Sequence, residues 1–283
     1  MQDGRRDSVL KKALRRRGAH LLEAVRPPGV ALKRKTPLPD RSATRLVDSP
    51  VFLLSSVRSG STLLRVLLNS HSRIRAPHEL HLRTLKVEPN REFAEDVMGA
   101  LGLTRTELEH LLWDRILHHE LAKAGKDVIV DKTPANALIW QRISSAWPNA
   151  RYLFLLRHPA SVVESVMNRR KSADKDAVVK EVLAYVSGVQ AAREMLQGVT
   201  VRYEDLTADP ARETQRICAY LGVPWEESML DYGAQDHGPI KPVFGDWSKN
   251  IKSGKVQAAR PLPGEGDVPA ELRDVARAWG YLS

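Results

Sequence analysis

The chain has 283 residues, of which 42% are hydrophobic, so it is long enough to form one large α/β domain or two small ones around a substantial core. Its single cysteine, Cys218, excludes an internal disulfide and a cysteine-rich zinc site. Because Cys218 lies in an amphipathic segment typical of a helix, residues 214–221, we expect it to be a small buried apolar side chain.

The first 18 residues are charged and contain no apolar stretch, so we expect no secretory signal. No apolar run approaches the roughly 20 residues that a membrane-spanning helix needs. A cytoplasmic location is therefore the simplest expectation.

The net charge of +10 is concentrated at the N-terminal end. Residues 1–48 hold 13 Lys and Arg against 5 Asp and Glu, or +8, which leaves +2 for the other 235 residues. We expect residues 1–46 to form a basic, flexible arm and residues 47–283 to form one domain. The arm is either a solvated extension or a docking segment for an acidic partner, such as a carrier protein, a membrane surface or, least expected, nucleic acid.

Short apolar strands alternate with helices along the rest of the chain. The patterns predict strands at 51–54, 127–130, 152–156 and 199–203. They predict helices at 60–70, 91–101, 105–124, 136–147, 159–171, 175–196, 210–221 and 270–279, with a long loop at 236–266. This alternation indicates an α/β fold with a central parallel sheet flanked by helices. Such sheets bind ligands at the carboxyl ends of their strands, so the residues directly after each strand are the candidate site.

The loop after the first predicted strand has the setting of a phosphate-binding loop. Residues 55–62, Ser-Ser-Val-Arg-Ser-Gly-Ser-Thr, lie between a strand and a helix, where backbone N–H groups, hydroxyls and the Arg58 guanidinium attract an anion. The loop departs from the nucleotide-kinase pattern G-x-x-x-x-G-K-[ST], because Ser55 replaces the first Gly and Ser61 replaces the Lys. Without that lysine, γ-phosphoryl chemistry loses a main charge-stabilising group. An ordinary serine-rich turn is the alternative interpretation.

The stretch Arg-Ser-Gly-Ser-Thr-Leu-Leu-Arg at 58–65 resembles the 5′-phosphosulfate loop of sulfotransferases that use 3′-phosphoadenosine-5′-phosphosulfate (PAPS). It is most similar to the R-S-G-[ST]-T-L form of bacterial and tyrosylprotein sulfotransferases, whereas cytosolic small-molecule sulfotransferases carry a lysine in place of Arg58. The resemblance covers residues 51–255. It implies a P-loop-like sulfotransferase fold, PAPS as the donor, no metal, and donor contacts from Arg58, Ser59, Gly60, Ser61, Thr62 and Leu63.

A second anchor follows the third predicted strand. Arg157-His158-Pro159 is followed by Ser165, eight residues after Arg157, and Pro159 suits the first turn of a helix. The stretch resembles the family pattern R-[DH]-P-x-x-x-x-x-S, which binds the 3′-phosphate of PAPS. An ion pair of Arg157 at a strand end is the alternative. Together, the two anchors imply PAPS rather than ATP, because ATP has no 3′-phosphate.

Two residues are candidates for the general base. Glu79 lies 21 residues after Arg58 and matches the glutamate assigned as the base in tyrosylprotein sulfotransferases. The surrounding Pro-His-Glu-Leu-His-Leu at 77–82 also resembles the P-E-L-H-L stretch of sulfotransferase domains in polyketide assembly lines. His81 is the alternative base, because an unperturbed histidine titrates near pH ~6.5. We favour Glu79 and leave His81 open.

Four further residues match the family pattern. Lys132 follows the second predicted strand and matches the lysine that stabilises the bridging oxygen, with a solvated loop lysine as the alternative. Tyr203, after the fourth strand, either touches the nucleotide or packs at the strand end. Ser248 and Lys249 resemble part of the C-terminal loop that folds over the nucleotide, which implies phosphate or phosphosulfate contacts.

The combined hypothesis is direct displacement of a sulfuryl group from PAPS onto an acceptor hydroxyl, with Arg58 and Lys132 stabilising the leaving 3′,5′-bisphosphate. The assembly-line resemblance implies an acyl chain or another natural-product hydroxyl as acceptor, and the tyrosylprotein resemblance leaves a peptide tyrosine open. We expect residues 82–126 to shape the acceptor pocket. A nucleotide-dependent kinase and a binding module that uses the basic arm are the alternatives from other classes.

Overall fold

The computed structural model describes residues 45–238 and 249–283. Most of the predicted arm and Ser248 lie outside the described residues, and Lys249 is described in its backbone only. The first two described residues are tied to the domain, because the Leu46 N–H donates to Asp114 Oδ2 (2.7 Å) and Arg45 Nε donates to the Ala146 carbonyl (2.9 Å). The end of the predicted arm therefore contacts the domain.

The described residues contain a central parallel sheet, as the sequence predicted, with five strands where the sequence patterns predicted four. Its order is β2-β3-β1-β4-β5, so β1 lies at the centre between β3 and β4. The strands are β1 (Val51–Ser55), β2 (Ile74–Arg75), β3 (Val128–Asp131), β4 (Arg151–Leu156) and β5 (Gly198–Arg202). Because every pair is parallel, the carboxyl ends of β1, β3 and β4 meet at one edge.

Helices cover both faces of this sheet. The α-helices are α1 (Ser61–Asn69), α2 (Glu92–Ala100), α3 (Arg105–Ala124), α4 (Trp140–Ala146), α5 (Pro159–Arg169), α6 (Lys175–Met195), α7 (Tyr203–Ala208), α8 (Pro210–Leu221), α9 (Lys249–Lys252) and α10 (Arg273–Ala278). Short 3₁₀ helices occupy Leu82–Thr84, Pro134–Leu138, Glu227–Leu230, Tyr232–Ala234, Glu265–Asp267 and Ala270–Leu272.

The alternation of side chains along each strand divides the core into two layers. In β1, Val51 and Leu53 pack with α1 and α8, whereas Phe52 and Leu54 pack with α3, α4, α5 and α6. All four side chains are fully buried. A strand buried on both faces reads as a continuous apolar run, which is why the pattern at 51–54 predicted it.

Cys218 is a buried side chain on a helix, α8, as predicted, and it lies in the layer formed by α1 and α8. It is almost fully buried, and its Sγ lies 3.6 Å from the Met229 Sδ. Burial raises the pKa of the Cys218 thiol to about 11. The thiol is therefore protonated at neutral pH and behaves as a small apolar group.

Some elements differ from the prediction because tertiary contacts define them. The two-residue strand β2 was not predicted, since only its pairing with β3 makes it a strand. The predicted helix at 136–147 is divided into a 3₁₀ helix and α4, because Asp131 accepts hydrogen bonds from Thr133 and Asn136 and holds the first part in a tight turn. Within the predicted loop at 236–266, the structure forms α9.

Within residues 45–238 and 249–283, no helix combines the length and the apolar character that a membrane span requires.

A helix–backbone contact in the core gives a stability prediction. In α6, a Cβ on Gly188 would lie 2.4 Å from the Ala137 carbonyl oxygen, whereas a Cβ on Gly99 in α2 would meet nothing within 4 Å. We expect Gly188→Ala to lower the free energy of unfolding by about 1–3 kcal/mol through overpacking. The control Gly99→Ala should raise it by about 0.5–1 kcal/mol. Urea denaturation measures both, and equal effects would contradict the close packing at Gly188.

Candidate active site

The loop after β1 folds into an anion-binding shape. Arg58 and Gly60 adopt positive φ angles of 60° and 87°, and the Ser59 hydroxyl donates to the Ser56 carbonyl (2.8 Å). The first N–H groups of α1 have no acceptor within the helix, so they extend the same concave surface. A positive φ at a non-glycine residue such as Arg58 costs on the order of 1 kcal/mol and is typical of ligand-binding loops.

Two buried hydroxyl groups at the start of this loop indicate whether the loop fits an anion. Ser55 and Ser56 are 0% and 1% exposed, and neither Oγ has a hydrogen-bond partner among the described residues. Leaving a buried hydroxyl without a partner costs about 1–3 kcal/mol. A bound oxyanion offers acceptors for such donors, so the loop fits a phosphate or phosphosulfate group.

The structure brings the second predicted anchor into direct contact with this loop. Arg157 follows β4, and its Nη1 donates to the Arg58 carbonyl (2.8 Å). Ser165, on α5, accepts a hydrogen bond from Arg58 Nε (3.2 Å). The parallel register of β1 and β4 places the two strand ends side by side. Arg58, Arg157 and Ser165 therefore form one group.

Tyr203 packs against both anchors. Its ring lies so close to Gly60 that a Cβ there would be 2.3 Å from the Tyr203 Cδ2, which explains why the position requires glycine. The Arg157 guanidinium lies over the same ring, 4.5 Å from its centroid. Burial lowers the pKa of Arg157, while Tyr203 and Glu204 act in the opposite direction. Tyr203 thus orients Arg157 through a cation–π contact.

Glu204 and Tyr281 hold the backbone next to this anchor. The Glu204 carboxylate accepts hydrogen bonds from the His158 backbone N–H (3.2 Å) and from the Tyr281 hydroxyl (2.6 Å). The Tyr281 ring meets the His158 ring edge-on, and Arg202 lies over its face. These contacts fix the backbone that carries Arg157.

The predicted catalytic residues form a second group at the end of β3. Lys132 is fully buried, and its Nζ donates to Glu79 Oε1 (2.5 Å). The other carboxylate oxygen, Glu79 Oε2, lies 3.4 Å from His81 Nε2. Burial lowers the pKa of Lys132, and the adjacent Glu79 carboxylate opposes that shift. Glu79 therefore contacts both Lys132 and the alternative base His81.

Asp131, at the last position of β3, organises the backbone around this second group. It is fully buried and accepts hydrogen bonds from Thr133 Oγ1 (2.9 Å) and Asn136 Nδ2 (2.7 Å). Burial raises the pKa of Asp131, and these two hydrogen bonds act against the rise. Thr133 Oγ1 in turn accepts a hydrogen bond from the His81 N–H (3.3 Å). This bond connects the end of β3 to residues 76–81, the loop that carries Glu79 and is called the Glu79 loop below.

Most residues singled out from the sequence thus gather at one edge of the sheet. The residues at the start of α1, Ser61, Thr62 and Leu63, are buried beside the loop. Sequence reasoning missed the supporting residues, which are Asp131, Asn136, Glu204 and Tyr281. Asp131, Asn136 and Glu204 are polar or charged and lie within a few residues of a strand end, which is a signal in the sequence; Tyr281, near the C-terminus, carries no such signal.

No group of three or more His, Cys, Asp and Glu side chains in the described part of the chain is arranged to hold a metal ion.

Comparison with known proteins identifies relatives of the chain. A family model described as "Sulfotransferase family" matches residues 50–227. The protein-tyrosine sulfotransferase of Drosophila melanogaster is 23% identical over 260 residues, covering 83% of this chain and 52% of its own length. The nodulation protein NoeE of Sinorhizobium fredii is 29% identical over 206 residues, covering 60% and 49%. The chain thus spans about half the length of these two relatives.

A similar solved structure is the sulfotransferase domain from the curacin biosynthetic pathway. It is 25% identical, has a TM-score of 0.61, and matches 84% of this chain and 99% of its own length. The expected sulfotransferase fold is confirmed by this likeness.

Proposed function

The chain belongs to the sulfotransferase family, and on that basis we propose that it transfers the sulfuryl group of PAPS to an acceptor hydroxyl. The observation that carries this proposal is the contact between the two anion anchors, where Arg157 binds the Arg58 carbonyl and Arg58 binds Ser165. One ligand with two phosphate-type groups, a 5′-phosphosulfate and a 3′-phosphate, matches two adjacent anchors at neighbouring strand ends.

In this proposal each anchor has its own part of the donor. The loop from Arg58 to Leu63 holds the 5′-phosphosulfate through backbone N–H groups and hydroxyls. Arg157 and Ser165 hold the 3′-phosphate, and Tyr203 keeps the Arg157 guanidinium in place. Ser248 and Lys249 are proposed to add phosphate contacts from the C-terminal loop. When bound, PAPS supplies an activated sulfuryl group whose transfer leaves adenosine 3′,5′-bisphosphate.

Lys132 and Glu79 are proposed to act on different oxygen atoms of the reaction, the leaving oxygen and the acceptor oxygen. The Glu79 carboxylate takes the proton of the acceptor hydroxyl, and His81, in contact with Glu79, is the alternative base. The Lys132 ammonium has three N–H donors and directs one at Glu79, which leaves others for the oxygen that gains negative charge. The buried position of Lys132 strengthens this electrostatic effect, because little water competes for its charge.

The proposed acceptor is a hydroxyl of an acyl chain or another natural product. The similarity to the curacin-pathway sulfotransferase domain, over nearly all of that domain, supports this class. A peptide tyrosine is the second candidate, supported by the similarity to protein-tyrosine sulfotransferases. Residues 82–126 are proposed to shape the acceptor pocket, since they follow the Glu79 loop directly.

The test of the donor is calorimetry with adenosine 3′,5′-bisphosphate, followed by labelled PAPS with a panel of aliphatic, phenolic and carrier-bound hydroxyl compounds. We expect saturable binding of the bisphosphate and label transfer to one acceptor class. Tight binding to DNA or anionic vesicles with no response to the bisphosphate would favour the binding-module alternative. Magnesium-dependent transfer from ATP would favour a kinase.

The 3′-phosphate anchor gives a specific prediction. Arg157→Ala should weaken binding of adenosine 3′,5′-bisphosphate by about 10- to 100-fold, the effect of losing hydrogen bonds to a charged group. Binding of adenosine 5′-phosphosulfate, which lacks the 3′-phosphate, should change much less. Arg105→Ala, which breaks an exposed ion pair with Glu95, is the matched control and should leave both affinities unchanged. Equal losses for both ligands in Arg157→Ala would contradict the assignment.

The base is tested with a variant that keeps Lys132 hydrogen-bonded. Glu79→Gln retains an amide oxygen as acceptor but cannot take a proton, so turnover should fall by about 10²- to 10⁴-fold. Bisphosphate affinity should stay within a few-fold of the wild-type value. Glu271→Gln, at an exposed position outside the proposed site and acceptor pocket, is the control. Retained turnover in Glu79→Gln together with its loss in His81→Gln would identify His81 as the base.

A further inference from the structure

Helix α1 carries two buried polar side chains that the proposed chemistry does not use. Arg65 and Asn69 are 0% and 6% exposed, and they stand one helical turn apart in a helix whose other interior side chains are mostly apolar. Removing such groups from water is unfavourable unless they are hydrogen-bonded. Their partners therefore indicate what they do.

Both side chains bind the same residue. Arg65 Nη1 donates to the Ala76 carbonyl (3.1 Å), and Asn69 Oδ1 accepts from the Ala76 N–H (3.0 Å). The spacing of four residues places Arg65 and Asn69 on one face of α1, so together they hold the two backbone polar groups of Ala76. A backbone held at both its donor and its acceptor has little freedom to rotate.

Ala76 is the first residue of the loop that carries Glu79. Pro77 follows it directly, and a proline restricts both its own φ and the conformation of the residue before it. The orientation of Ala76 is therefore transmitted along a stiff dipeptide toward Glu79. At its other end the loop is tied to β3 by the hydrogen bond from the His81 N–H to Thr133.

The same helix begins at the donor loop, since Ser61 is the first residue of α1. We propose that Arg65 and Asn69 are positioning residues, which hold the Glu79 loop at a fixed place relative to the donor loop. This role rests on the proposed function in that it takes Glu79 as the base. One rigid helix then sets the distance between the group that binds the sulfuryl donor and the group that accepts the proton, which is the condition for efficient in-line transfer.

The charge of Arg65 acts in the same direction. Its guanidinium attracts the Glu79 carboxylate, and burial lowers the pKa of Arg65 to about 10, so it stays protonated at neutral pH. The side-chain nitrogen of Asn69, Nδ2, lies 3.3 Å from His237 Nδ1. The contact with His237 is separate from the one with Ala76, and a variant at His237 tests it independently.

The decisive experiment follows hydrogen exchange of the peptide 77–85 in the full chain. In Asn69→Ala, exchange of this peptide should become about five- to tenfold faster, as expected for one lost hydrogen bond, while peptide 55–62 keeps its wild-type rate. Ser70→Ala is the matched control, because it removes a hydrogen bond at the C-terminal end of α1, from Ser70 Oγ to the Val66 carbonyl, and does not involve Ala76. His237→Ala is the second control, and both should exchange as the wild type does.

Kinetics supply a second readout, with PAPS as the donor and the acceptor identified from the hydroxyl panel. Asn69→Ala and Arg65→Met should lower kcat by about 10- to 100-fold, while affinity for adenosine 3′,5′-bisphosphate stays within about twofold. Arg65→Lys, which keeps the charge but not the planar fork, should recover part of the loss. If Arg65→Met does not fold, Asn69→Ala carries the test.

Two results would overturn the positioning role. One is wild-type exchange of peptide 77–85 in Asn69→Ala; the other is a loss of bisphosphate affinity that parallels the loss of kcat, which would place the effect in the donor loop. The exchange measurement needs no ligand. Failure of the proposed function, seen as no bisphosphate binding by the wild type, is therefore distinguishable from failure of the positioning role.

Discussion

The ion pair between Lys132 and Glu79 is the interaction on which the arrangement of the site depends. A fully buried ammonium must be paired with a negative group, and Glu79 is the carboxylate 2.5 Å from its Nζ. The pair therefore draws the Glu79 loop onto the end of β3. Because β3 lies beside β1 in the sheet, the same interaction places this loop next to the anion-binding turn. One electrostatic requirement thus joins the two halves of the site.

The parallel sheet explains why these halves meet at all. Three strand ends, those of β1, β3 and β4, deliver the turn with Arg58, the segment with Lys132 and the segment with Arg157 to one edge. The supporting residues then fix the backbone behind each functional side chain: Glu204 behind Arg157, Asp131 behind Lys132, and Arg65 with Asn69 behind Glu79. Placement comes from the fold, and precision comes from this polar layer.

The sequence predicted the parts of this structure that depend on local pattern. The strand at 51–54 and the loop at 55–62 were identifiable because a doubly buried strand and a serine-rich turn have their own signatures. The strand Ile74–Arg75 was not, since two residues form no periodicity. Contacts between distant residues were equally hidden. Arg65 and Asn69 looked like ordinary helix positions, although two polar residues four apart on an apolar helix were a signal. Their shared partner, Ala76, is visible only in three dimensions.

The burial of Cys218 has a practical consequence for studying the Glu79 loop. The thiol of Cys218, the only cysteine of the chain, is buried against Met229 and protonated at neutral pH. It should therefore not react with thiol-reactive dyes or spin labels in the folded state. An introduced surface cysteine, for example Arg83→Cys two residues after His81, would then be the sole attachment point. Fluorescence or electron paramagnetic resonance at that point would report movement of the loop on an otherwise unlabelled background.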